Sequence, residues 1–269
     1  MAEYNVYIDK VNCSRLDFSN NQALVNVDSS LPYLNTTNVS NMFYNCRNIK
    51  TIPQNIFENN QQIKNVSTTF YNCRNLTGNI PNIPNSVTNM DSTFYYCPNL
   101  TGTIPNIPNS VTSMIRTFFS CFNLIGTIPN IPNSVTNMTD AFAGCSNLTG
   151  TIPNIPDSVT NIWYTFAGCS NLTGLPEYIS NSVTDMYYAF YNCKNITGTT
   201  YIHSTNISNA MNCFYNTSNT LSKNVYIHYT YDNGVYTKTY NSFQTAGYVG
   251  TNTTEATKWN VNVLNMDAS

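Results

Sequence analysis

A 24-residue period runs through most of this chain and restricts it to a repeat architecture. Phenylalanine recurs once per period and a cysteine follows three residues later: Phe70, Phe94, Phe118, Phe142, Phe166 and Phe190, with Cys73, Cys97, Cys121, Cys145, Cys169 and Cys193. Phe43 with Cys46 is an earlier copy, and Phe214 belongs to a degenerate copy in which Thr217 takes the cysteine position. A fixed period in the twenties is typical of a solenoid, whose coils bury their apolar faces against one another. We therefore expect these cysteines to form an interior column of reduced, buried thiols rather than a disulfide framework, while Cys13 lies outside the period and is the candidate for an accessible thiol.

The apolar positions of one coil are spaced by three and four residues, and in the fullest copy they are Leu76, Ile80, Ile83, Val87, Met90, Phe94 and Cys97. Two prolines and a glycine in each copy exclude a long helix. We expect two short extended segments joined at a proline corner, and then one short helical or 3₁₀ turn around the phenylalanine. The predicted fold class is a β-rich solenoid of about eight 24-residue coils with a small α+β cap at the C-terminus.

An asparagine follows each phenylalanine of the repeat by five residues, at Asn48, Asn75, Asn99, Asn123, Asn147, Asn171, Asn195 and Asn219. Identical amides stacked roughly 4.8 Å apart can hydrogen-bond along their column and to the backbone of the neighbouring coil. We interpret this column as structural.

Two motifs carry a resemblance to a known family. The first is Pro-Asn-Ser-Val-Thr followed by Thr-Phe-x-x-Cys or Ala-Phe-x-x-Cys and then Leu, and the second is Asn-Val-Ser-Asn-Met-Phe-Tyr-Asn-Cys at residues 38–46. Over about residues 32–220 the chain resembles the bacterial leucine-rich-repeat surface proteins of the BspA type. The resemblance implies a curved solenoid with short strands on one face, a surface, adhesion or recognition role, and no catalytic site. The two prolines within each strand segment predict a short and ragged sheet.

The two ends of the chain depart from the repeat, as the caps of a solenoid do. We predict an N-terminal cap at residues 1–31, the solenoid at 32–220, and a C-terminal cap or attachment module at 221–269. In the last segment, alternating aromatic residues at 224–240 surround Asp232-Asn233-Gly234, which is a strong signal for a hairpin. A short helix near Ser242–Gly247 and a strand at Trp259–Leu264 would complete this module.

The composition disfavours several classes of partner. Only 9% of the residues are charged and the net charge is −2, so nucleic acid and anionic membranes are poor partners. No apolar run reaches the roughly 18 residues of a membrane span. The remaining polarity comes from Asn, Thr, Ser and 20 Tyr, which suits contact with protein or carbohydrate but could equally reflect the stacking of asparagine ladders.

Catalytic and metal sites are not predicted. Relative to the phenylalanine of its coil, Asp91 lies at −3, Asp140 at −2, Asp185 at −5 and Asp157 at −9, so no two of these acids share a column and none forms a hydrolytic pair. The sequence has no Cys-x-x-Cys motif, and its two histidines, His203 and His228, lie apart. We therefore expect no enzyme activity, no metal and no cofactor.

The positions −3, −2, +1, +2 and +4 relative to the phenylalanine vary between coils, which places them on the solvent side of the turn. Large aromatic residues accumulate there, and they form the candidate ligand-binding strip: Tyr95, Tyr96, Phe119, Phe122, Trp163, Tyr164, Tyr187, Tyr188 and Tyr191. Trp163 with Tyr187, and Tyr164 with Tyr188, share columns in adjacent coils, so each pair should stack. Arg116 and Asp140 share column −2 and should form a salt bridge. The alternative interpretation is that these rings only pack over one another to cover the coils.

The predicted function is non-catalytic recognition or assembly by a surface-displayed solenoid. We favour a bacteriophage virion appendage on the head or tail that contacts a host surface protein or glycan, because the N-terminal segment lacks the layout of a secretory signal. A bacterial cell-surface adhesin is the alternative, and a solenoid glycoside hydrolase is a remote third. Candidate partners are a protein or carbohydrate on a cell surface, other virion proteins, or a second copy of this chain, since a neutral aromatic strip favours self-association.

Overall fold

The protein is a stack of parallel coils in a computed structural model that describes residues 4–6, 16–202, 207–210, 212–217, 225–229 and 264–265. The residue at position −5 of each coil pairs in parallel with its equivalent in the next coil, in the unbroken series Asn38, Asn65, Asn89, Ser113, Asn137, Asn161, Asp185 and Asn209. The solenoid predicted from the period is therefore confirmed. The total number of coils and the domain boundaries remain predictions.

Regular strands are short. The described residues contain eight of them, each two to five residues long: β1 (Tyr4–Val6), β2 (Leu24–Val27), β3 (Gly150–Thr151), β4 (Leu172–Gly174), β5 (Tyr178–Ile179), β6 (Gly198–Ile202), β7 (Val225–Tyr229) and β8 (Leu264–Asn265). They form the pairs β1–β2 and β3–β4 and a four-stranded sheet in the order β5-β6-β7-β8, and all pairings are parallel. Elsewhere on the β3–β4 edge only single residues pair, as Thr103 does with Ile125. The prediction of a short, ragged sheet is confirmed. The strands are short because proline has no N–H to donate to the hydrogen-bond ladder.

We predicted one short helical or 3₁₀ turn around each phenylalanine, and this was wrong in that the described residues contain no helix of either kind. Overlapping hydrogen-bonded turns take its place: the Thr93 N–H donates to the Met90 carbonyl at 3.2 Å and the Tyr95 N–H to the Ser92 carbonyl at 3.1 Å. Ser92 and Tyr96, at positions −2 and +2, have φ of +52° and +55°, so the backbone becomes left-handed twice within the turn. A left-handed residue ends a right-handed helix, and here alternate N–H groups are free to bond the next coil.

These alternate N–H groups tie each coil to its successor. The N–H groups of Ser92, Phe94 and Tyr96 donate to carbonyls of the next coil at 2.7, 2.9 and 2.7 Å. The same positions bond in the same way in the other consensus coils, so the ladder runs along the whole stack. Alternate backbone N–H groups of the turn therefore bond within the coil, and the N–H groups between them bond to the next coil.

The core is built of stacked columns of identical side chains. The phenylalanine rings of successive coils lie 5.2–5.8 Å apart between centroids and within 16° of parallel, from Phe18 to Phe214. Phe18 lies in the segment that the sequence analysis assigned to the N-terminal cap, yet its ring stacks on Phe43 at 5.4 Å. The ring column thus begins one coil earlier than the repeat consensus predicts.

The cysteines form a second interior column, as predicted. Eight described cysteines are buried free thiols: seven in the column, Cys46, Cys73, Cys97, Cys121, Cys145, Cys169 and Cys193, and also Cys213, which directly precedes Phe214 and lies outside the column position. From Cys46 to Cys193, each thiol donates to the carbonyl oxygen of the phenylalanine one coil earlier, with S···O distances of 3.0–3.2 Å. Thr217 takes over the cysteine position, and its buried hydroxyl donates to the Phe214 carbonyl. Cys13 lies outside the described residues.

The asparagine column at position +5 links neighbouring coils in two ways. The amides of Asn75 and Asn147 approach the equivalent asparagines of the preceding coils at 3.5 Å. Asn48 and Asn99 instead donate to main-chain carbonyls of the preceding coil, both at 2.8 Å. The predicted bonds along the column and to the backbone are both present, which supports a structural role, while Asn219 lies outside the described residues.

Part of the predicted C-terminal module is described. β7 belongs to the segment 224–240 and lies between β6 and β8 in the parallel sheet. Leu264, the last residue of the strand predicted at Trp259–Leu264, begins β8. The turn at Asp232-Asn233-Gly234 and the helix near Ser242–Gly247 lie outside the described residues, so the hairpin and the cap remain predictions.

Candidate functional site

The exposed side of the turns around the stacked phenylalanines is the candidate site, and we call it the turn face. It consists of the side chains at positions −3, −2, +1, +2 and +4 of each coil. All nine residues of the predicted strip lie on it and are at least partly exposed, with Trp163 (41%) and Phe122 (40%) the most exposed. The structure divides these residues into two aromatic groups rather than one continuous strip.

The first group contains a stack of rings at position +1. Tyr95 stacks on Tyr71 at 4.5 Å and on Phe119 at 4.8 Å, and Tyr71 stacks on Tyr44 at 4.8 Å. The sequence analysis missed Tyr44 and Tyr71, although they occupy the same position of earlier coils and the period alone could have located them. Offset stacking of this kind contributes about 0.5–1.5 kcal/mol per pair beyond the burial of area.

Tyr96 and Phe122 complete the first group beside that stack. Their rings meet edge to face, with centroids 6.4 Å apart. The Arg74 guanidinium lies 5.0 Å from the centroid of the Tyr96 ring, within the range of a cation–π interaction. One face of Tyr96 is therefore occupied by a residue of its own chain.

The second group consists of Trp163, Tyr164, Tyr187, Tyr188 and Tyr191. Tyr164 and Tyr188 stack at 4.7 Å and 6° between planes, as predicted. Trp163 and Tyr187 are in contact at 5.9 Å, but at 65°, so the prediction that they stack was wrong. The Tyr187 ring also packs against Tyr164 at 5.5 Å and Tyr188 at 4.4 Å, and these contacts tilt it away from the indole plane. Desolvation and neighbouring phenols raise the pKa of the Tyr164 and Tyr187 hydroxyls above the ordinary value.

An open depression of about 410 Å³ lies between the two groups. It forms where position +1 changes from an aromatic residue to Ala143 and Ala167 and position +2 becomes Gly144 and Gly168. Phe119 of the first group and Trp163 and Tyr164 of the second line it. The depression was not predicted from the sequence, because the prediction rested only on the large residues of the variable positions.

The predicted salt bridge between Arg116 and Asp140 is confirmed, and it borders the depression. The Arg116 Nε donates to Asp140 Oδ2 at 3.0 Å, and the two side chains are 51% and 13% exposed. Burial raises the pKa of the Asp140 carboxyl, and the hydrogen bond and charge of Arg116 oppose that rise. A pair at the surface with one exposed partner contributes roughly 0–1 kcal/mol to stability.

Several bulky residues of the turn face have left-handed backbone. Tyr96, Arg116, Tyr164 and Tyr188 have φ between +53° and +55°. At position +2 most other coils carry asparagine or glycine, as at Asn45 and Gly168, whereas at position −2 only Asn41 and Asn212 are asparagine. Asparagine and glycine adopt this conformation readily, whereas bulky side chains are strained in it.

The arrangement offers aromatic surface and hydrogen-bonding groups rather than reactive ones. Over the part of the chain that the structure describes, no three His, Cys, Asp or Glu side chains cluster as metal ligands, and no helix could cross a membrane. The buried cysteines are protonated at pH 7 rather than reactive thiolates, because burial raises the pKa of their thiols, to about 11 for Cys46 and about 12 for Cys121 and Cys169.

Comparison with known proteins agrees with this architecture. The family model of the BspA-type leucine-rich repeat region matches the chain in six copies, over residues 36–173 and 139–245. The overlapping ranges span residues 36–245, well over half of the 269 residues. Searches of curated proteins and of solved structures gave no match. On its repeat, its stacked coils and this match, the chain belongs to the BspA-type leucine-rich-repeat family.

Proposed function

We propose that this protein is a non-catalytic recognition protein displayed on a surface, and that it binds its partner through the turn face. Leucine-rich-repeat domains generally mediate protein binding, and BspA-type repeat proteins are generally associated with cell surfaces. Exposed aromatic residues edged by polar groups are enriched at binding interfaces. The two aromatic groups and the depression between them are the parts of the turn face that would make the contacts.

The observation that carries this proposal is the placement of bulky side chains on strained backbone. Left-handed φ in a residue other than glycine costs about 1–3 kcal/mol, and such strain concentrates at functional sites. In this fold asparagine, which adopts the left-handed conformation more readily than tyrosine, takes these positions at Asn45 (position +2) and Asn41 (position −2). Tyr96, Tyr164 and Tyr188 therefore carry a stability cost on an exposed surface, and only part of it is offset by stacking.

A single variant distinguishes the effect of these rings on stability from their effect on binding. Replacing Tyr96, Tyr164 and Tyr188 together by asparagine relieves three strained residues while removing their rings. We expect the variant to fold with a free energy of unfolding within about 2 kcal/mol of the wild type. We also expect it to lose binding to intact bacterial and epithelial cells in flow cytometry with fluorescently labelled protein.

A matched control removes two exposed apolar residues that lie off the turn face. Tyr33 (59% exposed) and Ile125 (49% exposed) are replaced by asparagine, which should leave cell binding unchanged. Equal binding by the triple variant and the wild type, or wild-type protein that binds none of the cells, contradicts the proposed function.

The location of the protein is a finer part of the proposal. We retain the virion appendage as the specific hypothesis and the bacterial cell-surface adhesin as its alternative. Mass spectrometry of purified phage particles tests the first, and protease shaving of intact cells tests the second. Peptides of this chain recovered only from shaved cells would exclude the virion hypothesis.

A further inference from the structure

The ring stack at position +1 is interrupted in two adjacent coils. Tyr95 and Phe119 carry rings at this position, Ala143 and Ala167 do not, and the rings resume at Tyr191. Rings of the intact stack lie 4.5–4.8 Å apart. The face of Phe119 that points along the stack therefore has no ring against it, and the space of two flat rings is left open.

The floor of this space is made of the smallest side chains in the protein. Gly144 has φ of +80°, and a Cβ added to it would lie 3.3 Å from the Phe122 ring and 3.4 Å from Ser120. Gly168 has φ of +75° in the next coil. Ala143, Ala167 and Ser120 are the other small residues that line the depression, so nothing larger than a serine side chain rises from the floor. The resulting volume of about 410 Å³ lies within the range of small-ligand sites, about 300–1,000 Å³.

The walls are aromatic and lie on two sides. Phe119 bounds the depression at the end of the first aromatic group, and Trp163 and Tyr164 bound it from the second. Flat, rigid rings supply a large contact area at a low cost in side-chain entropy. A flat ligand seated on the floor would meet ring faces or edges at both ends.

The rim supplies paired hydrogen-bonding groups without net charge. The salt bridge between Arg116 and Asp140 uses Nε and Oδ2. Among the described residues, Asp140 Oδ1 and both Nη groups of Arg116 have no hydrogen-bond partner, so an acceptor and donors lie side by side at the edge of the depression. The charges of the pair cancel, which disfavours an ionic ligand and favours a neutral one whose hydroxyls donate to the carboxylate and accept from the guanidinium.

We propose that this depression is a carbohydrate-binding site that takes a pyranose ring of a neutral glycan. The sugar's C–H faces pack against the rings of Phe119, Trp163 and Tyr164, and two neighbouring hydroxyls bond Asp140 and Arg116. An aromatic side chain of a partner protein would fill the same space but would leave the open groups of the rim without partners, which costs affinity. This inference rests on the proposed recognition function and names a ligand class for it.

The test measures sugar binding at Trp163. The chain has two tryptophans, so a Trp259→Phe background makes Trp163 the only indole reporter. Fluorescence titration and saturation-transfer NMR use the methyl pyranosides of glucose, galactose, mannose and N-acetylglucosamine, and a neutral glycan array extends the search. We expect at least one pyranoside to bind and to perturb the Trp163 fluorescence.

Three variants locate the site. Asp140→Asn keeps a residue that tolerates left-handed backbone, and both it and Arg116→Gln should weaken binding about tenfold or more, because each removes a charged hydrogen-bond partner. Ala167→Tyr restores a ring of the stack and should abolish binding. The control is the Tyr33→Asn, Ile125→Asn protein, whose affinity should equal that of the parent. Buried thiols that stay unreactive toward Ellman's reagent at pH 7 show that a variant is folded.

Two results would overturn the inference. One is the failure of the parent protein to bind any neutral pyranoside or arrayed neutral glycan, and the other is unchanged sugar affinity in both Asp140→Asn and Arg116→Gln. Binding of aromatic hexapeptides that Ala167→Tyr removes, without sugar binding, would assign the site to a protein partner instead. If the wild type binds cells but no sugar, the inference fails and the proposed function is retained. If the wild type binds no cells, the proposed function fails whatever the result with sugars.

Discussion

Raising the pH should unfold this solenoid over a narrow interval, because the cysteine column packs only as neutral thiols. Burial raises the pKa of all eight described interior thiols, to about 11 for Cys46, to about 12 for Cys121 and Cys169, and above the ordinary value for the others. In the unfolded chain each thiol ionises near its ordinary pKa of about 8.5. Below about pH 8.5 both states keep the protons, so the thiols leave stability independent of pH. Above it only the unfolded chain loses them, and the free energy of unfolding falls until the folded pKa is reached.

The magnitude follows from the number of thiols. At pH 9.5, about one unit above the unfolded pKa, each thiol lowers the free energy of unfolding by about 1.4 kcal/mol. The eight described thiols together lower it by about 11 kcal/mol. Since folded domains are typically stable by about 5–15 kcal/mol, most of the native population should be lost between about pH 9 and pH 10.

Urea denaturation followed by circular dichroism in a reducing buffer, at steps from pH 7 to pH 9.5, measures this directly. The double variant Cys121→Ala, Cys145→Ala removes two of the eight thiols, so its stability should fall with pH about a quarter less steeply than that of the wild type. The slopes are compared because lost packing also lowers the stability of the variant at pH 7. A free energy of unfolding that stays constant from pH 7 to pH 9.5 would refute the reasoning, as would reaction of more than one thiol per native chain with Ellman's reagent at pH 8, since Cys13 is the candidate for an accessible thiol.

Two further predictions concern single coils. Asp91 accepts hydrogen bonds from the Ser113 hydroxyl at 2.5 Å and from the Ile115 N–H at 2.9 Å. In other coils the residue at the position of Ser113 is an asparagine, and its side chain accepts the equivalent N–H within the same coil. Asp91→Ala should therefore cost about 1–3 kcal/mol in urea denaturation, and Ser113→Asn should restore much of it, whereas a failed rescue would show that Asp91 acts otherwise. Gly150→Ala should lower Tm more than Gly78→Ala, because both have φ near +80° but only at Gly150 would the new methyl group lie 2.9 Å from Thr127. Equal losses would mean that backbone strain alone decides the cost.

The interior of this fold was readable from the sequence, while the path of the backbone through the turn was not. A side chain repeated every 24 residues must form a column once the coils stack, so Phe94 and Cys97 reveal their surroundings directly. Apolar spacings of three and four fit a helix, and they fit a series of overlapping turns equally well. The distinguishing signal was the asparagine or glycine at position +2 of most coils, as at Asn72, since these residues favour the left-handed backbone that rules out a helix.

The turn face was predictable in position but not in detail. The period places Trp163 and Tyr187 in one column, yet the tilt of a ring depends on all of its neighbours, and Tyr187 has contacts with two further tyrosines. The depression was visible as Ala143-Gly144 in one coil and Ala167-Gly168 in the next. Small residues indicate a depression only where other coils have large residues at the same positions, so the depression is recognised by comparing equivalent positions from coil to coil.

The depression could arise without cost to the backbone because the ladder does not depend on the side chain at position +1. The bond from the Ser120 N–H to the Ala143 carbonyl and that from the Gly144 N–H to the Ala167 carbonyl are both 2.7 Å, the same as the bond to the Phe119 carbonyl in the aromatic coils. What the two alanines forfeit is ring stacking, at about 0.5–1.5 kcal/mol for each of the three interrupted ring pairs. In the proposed site, a ligand bound against Phe119 would restore part of that contact. In that proposal, ligand contacts stabilise most the coils in which ring stacking contributes least.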